Sequence, residues 1–456
     1  MNSPTESLPP LADGLPVPRR YWAMASIWLA MVMAVLDTSI ANVALPTIAH
    51  DLGASPASSI WVVNAYQIAI VMLLLPVASL GEILGYRRVY SVGLVLFVAA
   101  SIACTFAGSL TWLAAARFAQ GFGAAAIMGI NGALVRFTYP KARLGRGIGL
   151  NALVVAISAA AGPSIAAIVL ALGSWRWLFA INVPFGLASL AIGLAALPTP
   201  PRQHRRFDWQ SALLAAITFA ALFAFAASVA HEAFSVKSGL ALAIGIGAGI
   251  PLLRIARSQR DPLIPLDLIR TPLLGLSYAA SILAFAAQMI GLVSLPFYLQ
   301  SRWGYDHAQA GFAITALPLG IAVAAPVAGR LVEHVPAGLL GGIGLVVLAC
   351  AFGGIAAMPA SAGTAALVLA IGLCGIGFGL FQSPNNRTMM GSAPAERSGA
   401  AAGMLATARL CGQTLGAVAV AFVFRVAGPA TAIPFAVAAA LGLVAAAASA
   451  GRLKAT

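Results

Sequence analysis

The sequence predicts an all-α integral membrane protein of fourteen transmembrane helices, built as two parallel six-helix halves with a two-helix insert between them. Three observations predict it. The 456 residues are 61% hydrophobic and only 8% charged. A soluble domain carries roughly 25% charged residues, and no water-soluble fold hides this much apolar surface. Runs long enough to cross a bilayer, about 20 residues each, recur along the whole chain. Lys and Arg gather on one side of those runs.

Residues 1–20 are polar and Pro-rich, and Arg19-Arg20 leads straight into a full-length span. This segment reads as a cytoplasmic tail and not as a cleavable signal peptide. The first half, 21–197, holds spans at 21–45, 58–80, 89–108, 111–135, 147–171 and 176–197. Residues 198–272 are linkers around two inserted spans, 208–230 and 238–256, within 208–256. The second half, 273–450, holds spans at 273–299, 309–330, 338–358, 363–386, 398–424 and 431–450, and 451–456 is a tail.

An even count puts both termini on one side. With the termini in the cytoplasm, the cytoplasmic segments hold 20 of the 26 Lys and Arg, the opposite side four, and the spans two. That asymmetry fits the positive-inside rule. The net charge of +14 is therefore an orientation signal, and a nucleic-acid partner is not expected. The four cysteines (Cys104, Cys350, Cys374, Cys411) lie in apolar runs without ligand spacing, so no metal is expected.

The chain echoes itself. Pro-x-x-Arg-x-Gly occurs in "YPKARLG" (139–145) and again in "APAERSG" (393–399), 254 residues on. Leu80 and Glu82 recur as Leu331 and Glu333, 251 residues on, and "GFG" at 121–123 recurs at 377–379. Three matches in one order at nearly one offset predict two parallel halves. Such repeats characterise a large class of secondary transporters, with substrate bound between the halves near the midplane.

The stretches "LDTSIANVALP" (36–46), "LAAARFAQGFGAA" (113–125), "SWRWLFAINVPFGL" (174–187) and "SGAAAGMLATARLCGQTLGA" (398–417) resemble the major facilitator superfamily, in its fourteen-helix drug/proton antiporter branch. The resemblance runs from Leu36 to about Val420. It implies the major facilitator fold. "ASLGEILGYRR" (78–88) resembles the superfamily's signature loop, which implies a conformational latch at Glu82, Gly85, Arg87 and Arg88. Ile83 stands where the family carries Arg. An acid at the C-terminal end of a helix is disfavoured by the helix dipole, so Glu82 is expected to have a cationic partner or to face another helix's N-terminus. An ordinary interfacial turn is the alternative. "AISAAAGPSIAA" (156–167) resembles the antiporter motif, with Gly162 and Pro163 at its core. Pro163 removes a helix hydrogen bond and bends the span, and a bare kink without a coupling role is the other reading.

Of twelve acids, only Asp37 lies deep in a span, where an unpaired charge costs several kcal/mol. By rise per residue Asp37 lies about 13 Å from the outer end of its helix, and Arg117 about 9 Å from the outer end of the fourth span. In the superfamily both helices face the central cavity, so Asp37 and Arg117 are the expected proton-coupling pair. Burial disfavours the charged carboxylate and Arg117 favours it, and a group balanced that way can exchange a proton. A fixed ion pair joining two helices is the alternative. Arg409 is the third buried charge, which brings the sum of the three to +1 and weighs against a cationic substrate. Asn42, Gln120, Gln288, Gln382, Asn385, Arg409 and Gln413 are the candidates for the substrate cavity. Polar side chains within spans also serve as helix-to-helix bonds.

The sequence thus predicts a proton-coupled exporter of small amphipathic compounds, a monomer in the cytoplasmic (inner) membrane that uses the proton-motive force and no bound cofactor. Its partners are substrate, protons and the lipid bilayer. A dedicated single-metabolite transporter is the first alternative. No phosphate-binding Gly-x-x-x-x-Gly-Lys-Ser/Thr loop occurs. All five histidines fall in predicted loops, so no catalytic His/acid cluster is expected.

Overall fold

Ser and Asp capping residues mark where the spans begin. Ser109 accepts from Trp112 N at the start of the fourth helix, and Asp208 accepts from Ser211 N at the start of the seventh. Ser235 and Asp306 form reciprocal capping boxes with Ser238 and Gln309, each satisfying amides left orphaned at a helix start. The computed structural model describes residues 14–140, 143–200, 207–232, 235–259, 271–359, 362–392 and 398–454. The linkers at 201–206 and 260–270, and most of the second Pro-x-x-Arg-x-Gly copy, lie outside the described residues.

The helices are α1 (Arg19–Asp51), α2 (Trp61–Leu84, entered through a short turn Pro56–Ser59), α3 (Tyr86–Thr105), α4 (Leu110–Thr138), α5 (Leu144–Leu172) and α6 (Asn182–Ala196, entered through Trp177–Ala180). The insert is α7 (Trp209–Glu232) and α8 (Val236–Ser258). The second half is α9 (Pro272–Trp303), α10 (His307–Leu331), α11 (Ala337–Ala357), α12 (Gly363–Gly391), α13 (Ser398–Ala427) and α14 (Ile433–Gly451). Thirteen of these are long and apolar enough to cross a membrane, and the described apolar part of α5, Ile157–Leu172, occupies the remaining place. The expected count and order of spans match these helices.

Three expectations are corrected. α1 does not stop near Pro46 but runs through it to Asp51, so Asp37 sits deeper than the sequence indicated. A proline inside a helix removes one bond without ending it when neighbouring helices pack around it. The expected loop after the second span is a single residue. α2 continues through Gly81 and Glu82 to Leu84, and only Gly85, at φ +99°, separates it from α3. Few side chains adopt that conformation, which explains glycine there. His50, His231 and His307 likewise belong to helices and not loops.

The duplication is visible in the packing. α3 crosses α4 at Gly93 and Gly123, where an added Cβ would meet the other helix's backbone or Cβ within 2.4–2.7 Å. α11 crosses α12 in the same way at Gly344 and Gly377, with the added Cβ of each 2.6 Å from the other's carbonyl. Gly121 presses on Tyr66 O of α2, and Gly375 on Leu317 O of α10. Only glycine permits these approaches, and they recur at the repeat's own offset. The insert packs as a pair, with α7 against α2 and α13.

The halves join mainly through α5 with α10 and α2 with α13. At the end away from the termini one apolar core runs through both halves, from Val43 and Leu45 of α1 to Phe297 of α9 and Ile314 of α10. At the terminus-bearing end the core divides. One cluster, built around Tyr66, Phe97 and Ile127, belongs to the first half, with single contributions from Phe223 and Leu410. A smaller one, Leu274, Tyr278, Met389, Met404 and Ala408, belongs to the second.

Candidate functional site

Asp37 is held by three donors from two other elements. Arg117 Nη1 binds its Oδ2, while Gln120 Nε2 and Asn182 Nδ2 each donate to Oδ1 at 3.0 Å. Arg117 also donates from Nε to Val62 O at 3.0 Å and from Nη1 to Gln120 Oε1 at 2.7 Å. Its guanidinium lies over the ring of Tyr66, 4.1 Å from the centroid, a favourable cation–π arrangement. Gln120 Nε2 reaches Ser101 Oγ at 2.9 Å, and Cys104 Sγ lies 3.8 Å from Gln120 Oε1. The cluster therefore ties α1, α2, α3, α4 and the start of α6 together.

Asp37 is 2% exposed, and Arg117 and Gln120 are fully buried. All of their hydrogen-bond partners belong to the first six-helix half, so the pair is buried within that half. Gly121 of α4, where an added Cβ would lie 2.6 Å from Tyr66 O, lets α2 approach beside the pair. Buried this way, the ion pair depends on the further hydrogen bonds that Gln120, Asn182 and Val62 O supply to its two members.

The cavity candidates separate by burial. Asn42 donates to Thr38 O at 3.0 Å and is fully buried, with its Oδ1 lacking a partner. Asn385 is fully buried, donating to Ser281 Oγ at 3.3 Å and accepting from Arg452 Nη1 at 2.6 Å. Gln120 belongs to the Asp37 cluster. Asn385 and Gln120 join helices, while Asn42 bonds only within α1. Gln288, Gln382, Arg409 and Gln413 remain partly exposed, and Arg409 Nε is buried without a hydrogen-bond partner.

At the α2–α3 corner, Glu82 is half-buried in the last turn of α2. Arg87 binds the carbonyl of Leu194 at the end of α6, and Arg88 is exposed. Gly162 and Pro163 sit at the seam of the halves. An added Cβ on Gly162 would lie 2.4 Å from Ser39 Oγ of α1. One on Gly311 of α10 would lie 2.5 Å from Ala167 Cβ and 2.9 Å from Pro163 O. Ser164 and Thr315 hydrogen-bond across the same seam at 2.8 Å, and Thr47 with His307 at 3.3 Å.

Sequence reasoning missed Asn182, Ser101 and Tyr66. Asn182 was visible as a lone amide in "SWRWLFAINVPFGL", but nothing local says that it reaches Asp37 across 145 positions. Arg452 was read as a tail residue. It is 2% exposed, bonded to Ser449 and Asn385, and desolvation lowers its pKa to about 10. It lines, with Arg387, a cavity of about 510 Å³ at the terminus-bearing end, remote from the Asp37 cluster. Among the described residues no group of acids, His and Cys could hold a metal ion.

The family model of the Major Facilitator Superfamily matches residues 27–417 and 276–454. The chain is 49% identical, over 91% of both chains, to the uncharacterised transporter YebQ of Escherichia coli strain K12. It is 30% identical to the tetracenomycin C resistance and export protein of Streptomyces glaucescens, covering 87% of this chain and 74% of that one. It is 28% identical to the riboflavin transporter RibZ of Clostridioides difficile strain 630, over 87% of both. A crystal structure of a peptide transporter POT variant with alafosfalin shares the fold at TM-score 0.70 and 17% identity, covering 94% of this chain and 93% of that one. With its duplicated helix crossings and paired halves, the chain belongs to the Major Facilitator Superfamily of membrane transporters.

Proposed function

We propose that the protein is a proton-coupled exporter of small amphipathic organic compounds, working by alternating access from the cytoplasmic membrane with both termini in the cytoplasm. The observation that carries this reading is a continuous contact path from the seam to the buried acid. Gly311 of α10 presses on Pro163 and Ala167 of α5, Gly162 presses on Ser39 of α1, and Ser39 lies two residues from Asp37. Separation of the halves at this seam would release α5 from α1 beside the acid. Asp37, held here by three donors, would then lose those partners, and this is the step of the proposed cycle at which it exchanges its proton.

The energetics permit one such acid to suffice. One charge crossing 100 mV yields roughly 2.3 kcal/mol, and one pH unit adds about 1.4 kcal/mol. Together, about 3.7 kcal/mol supports a gradient on the order of 500-fold. Relatives named for resistance and export support the outward direction.

The test is proton release on substrate addition to purified protein, compared between parent and Asp37→Asn. Release in the parent that is lost in the variant supports the reading. Equal release from both places the carrier elsewhere. A dedicated single-metabolite transporter is the second reading, favoured by the riboflavin-transporting relative. A chemically diverse efflux panel separates the two by breadth.

A further inference from the structure

Arg409, Gln413, Gly416, Val420 and Phe424 form one stripe of α13, since residues spaced by three and four share a helix face. Toward the outer seam the stripe is closed. Val420 is 0% exposed, Phe424 is 5% exposed, and the Phe424 ring packs edge-on against Phe297 at 5.0 Å. Gly416 is pressed onto Ala286 O of α9. Toward the terminus-bearing end the same stripe opens, and Arg409 and Gln413 are both partly exposed.

This opening is not the lipid side. Leu415, Phe422 and Val426, the exposed apolar residues of α13, lie on a stripe more than 90° away by the 3.6-residue repeat. Leu410 packs into the core of the first half and Gly412 onto Ile282 O of α9, so Arg409, which lies between them on the helix face, points into the space between the halves where the core divides. There it forms no hydrogen bond or ion pair among the described residues, and its Nε is buried without a partner. The one deep carboxylate, Asp37, is already engaged by Arg117, Gln120 and Asn182. An uncompensated guanidinium at this depth is costly in the absence of an anion.

We infer that Arg409 receives the anionic group of the substrate, so that the transported compounds are organic acids with a carboxylate, sulfonate or phosphate beside an apolar body. Guanidinium binds such groups bidentately, through charge-assisted bonds. Gln413, one turn along the same face, supplies a neutral amide to the same ligand. The inference rests on the transporter reading but not on proton coupling.

The experiment is equilibrium binding to purified protein of matched triplets: an aromatic acid such as naphthaleneacetate, its amide and the corresponding amine, with several ring systems. In the parent the acids bind tightest within each triplet. Arg409→Gln weakens the acids roughly tenfold to a hundredfold, the loss of one charged hydrogen-bonded contact, and leaves the amides within about twofold. Arg409→Lys, a point charge without the fork, retains part of the preference. The ligand-free protein gives a second reading: Arg409→Gln should melt at an equal or higher temperature, because an unpaired charge has been removed. Amines or amides binding as well as acids, no acid binding at all, or unchanged acid affinity in Arg409→Gln would each overturn the inference. So would a lower melting temperature of Arg409→Gln with unchanged ligand ranking, which would make Arg409 a structural donor. If acids bind as expected but no proton is released, the inference stands and the coupling reading fails.

Discussion

Asp37→Asn keeps the size of the side chain but leaves Arg117, which is 0% exposed, without its counter-charge. The amide oxygen can still accept from Gln120 and Asn182, as Oδ1 of Asp37 does at 3.0 Å from each. The amide nitrogen then faces Arg117 donor to donor. One charge-assisted bond is lost, about 1.5–3 kcal/mol, and a buried cation is left unmatched. Breaking a buried pair on one side costs about 3–5 kcal/mol in total. A neutral amide is cheaper to bury than a carboxylate in isolation, but here the partner's charge decides the outcome. Arg117→Gln should cost a similar amount, by stranding Asp37. The double variant removes both charges and should be more stable than either single variant, with a coupling energy of about 2–3 kcal/mol. The assay is denaturant unfolding in micelles, followed by labelling of the buried thiols Cys104 and Cys374. Cys104 touches Gln120 of the cluster, so in either single variant it should become reactive at lower denaturant than Cys374. Single-variant effects that add within about 0.5 kcal/mol would refute the pairing argument.

Gly311→Leu places bulk where Pro163 O and Ala167 lie within 2.9 Å of an added Cβ. It should hold the α5–α10 seam apart, seen as faster labelling of a cysteine at Thr315, and unchanged labelling would count against the seam. Gly85→Ala forces a side chain onto φ +99° and should lower stability by about 1–2 kcal/mol, read as a lower melting temperature. Cysteines placed at positions 204 and 306 should label from opposite sides of the membrane, and labelling of both from one side would overturn the topology. Asp208 is drawn below the ordinary carboxylate range: burial works against this, but its bonds from Ser211 and Gln259 outweigh it. Its contribution is therefore present above the ordinary range and fades as pH falls through the lowered value. Asp208→Ala should loosen the α7 end at neutral pH and make no difference at strongly acidic pH, measured by hydrogen exchange.

The number of spans, their order and the duplication were legible in the sequence because bilayer length, charge asymmetry and an offset near 251–254 residues are properties of the chain alone. Asp37 stood out for the same reason, as an acid where the bilayer tolerates none unpaired. Its pairing with Arg117 was expected from similar depth along two helices that, by the family resemblance, face one cavity. What the sequence did not contain is which side chains meet when five helices pack. Asn182 and Ser101 reach the cluster only through tertiary crossings. The direction the cluster faces was also decided there, by the close approach of helices at Gly121 and Gly162. The cavity candidates show the same division. Asn42, Gln413 and Arg409 are alike in sequence, each a polar residue inside an apolar run, and Asn385 stands at the polar end of another. Helix rotation turned Asn42 and Asn385 into neighbouring helices and left Gln413 and Arg409 partly open. Polarity is set residue by residue, but exposure within a bundle is set by the rotation of each helix against its neighbours.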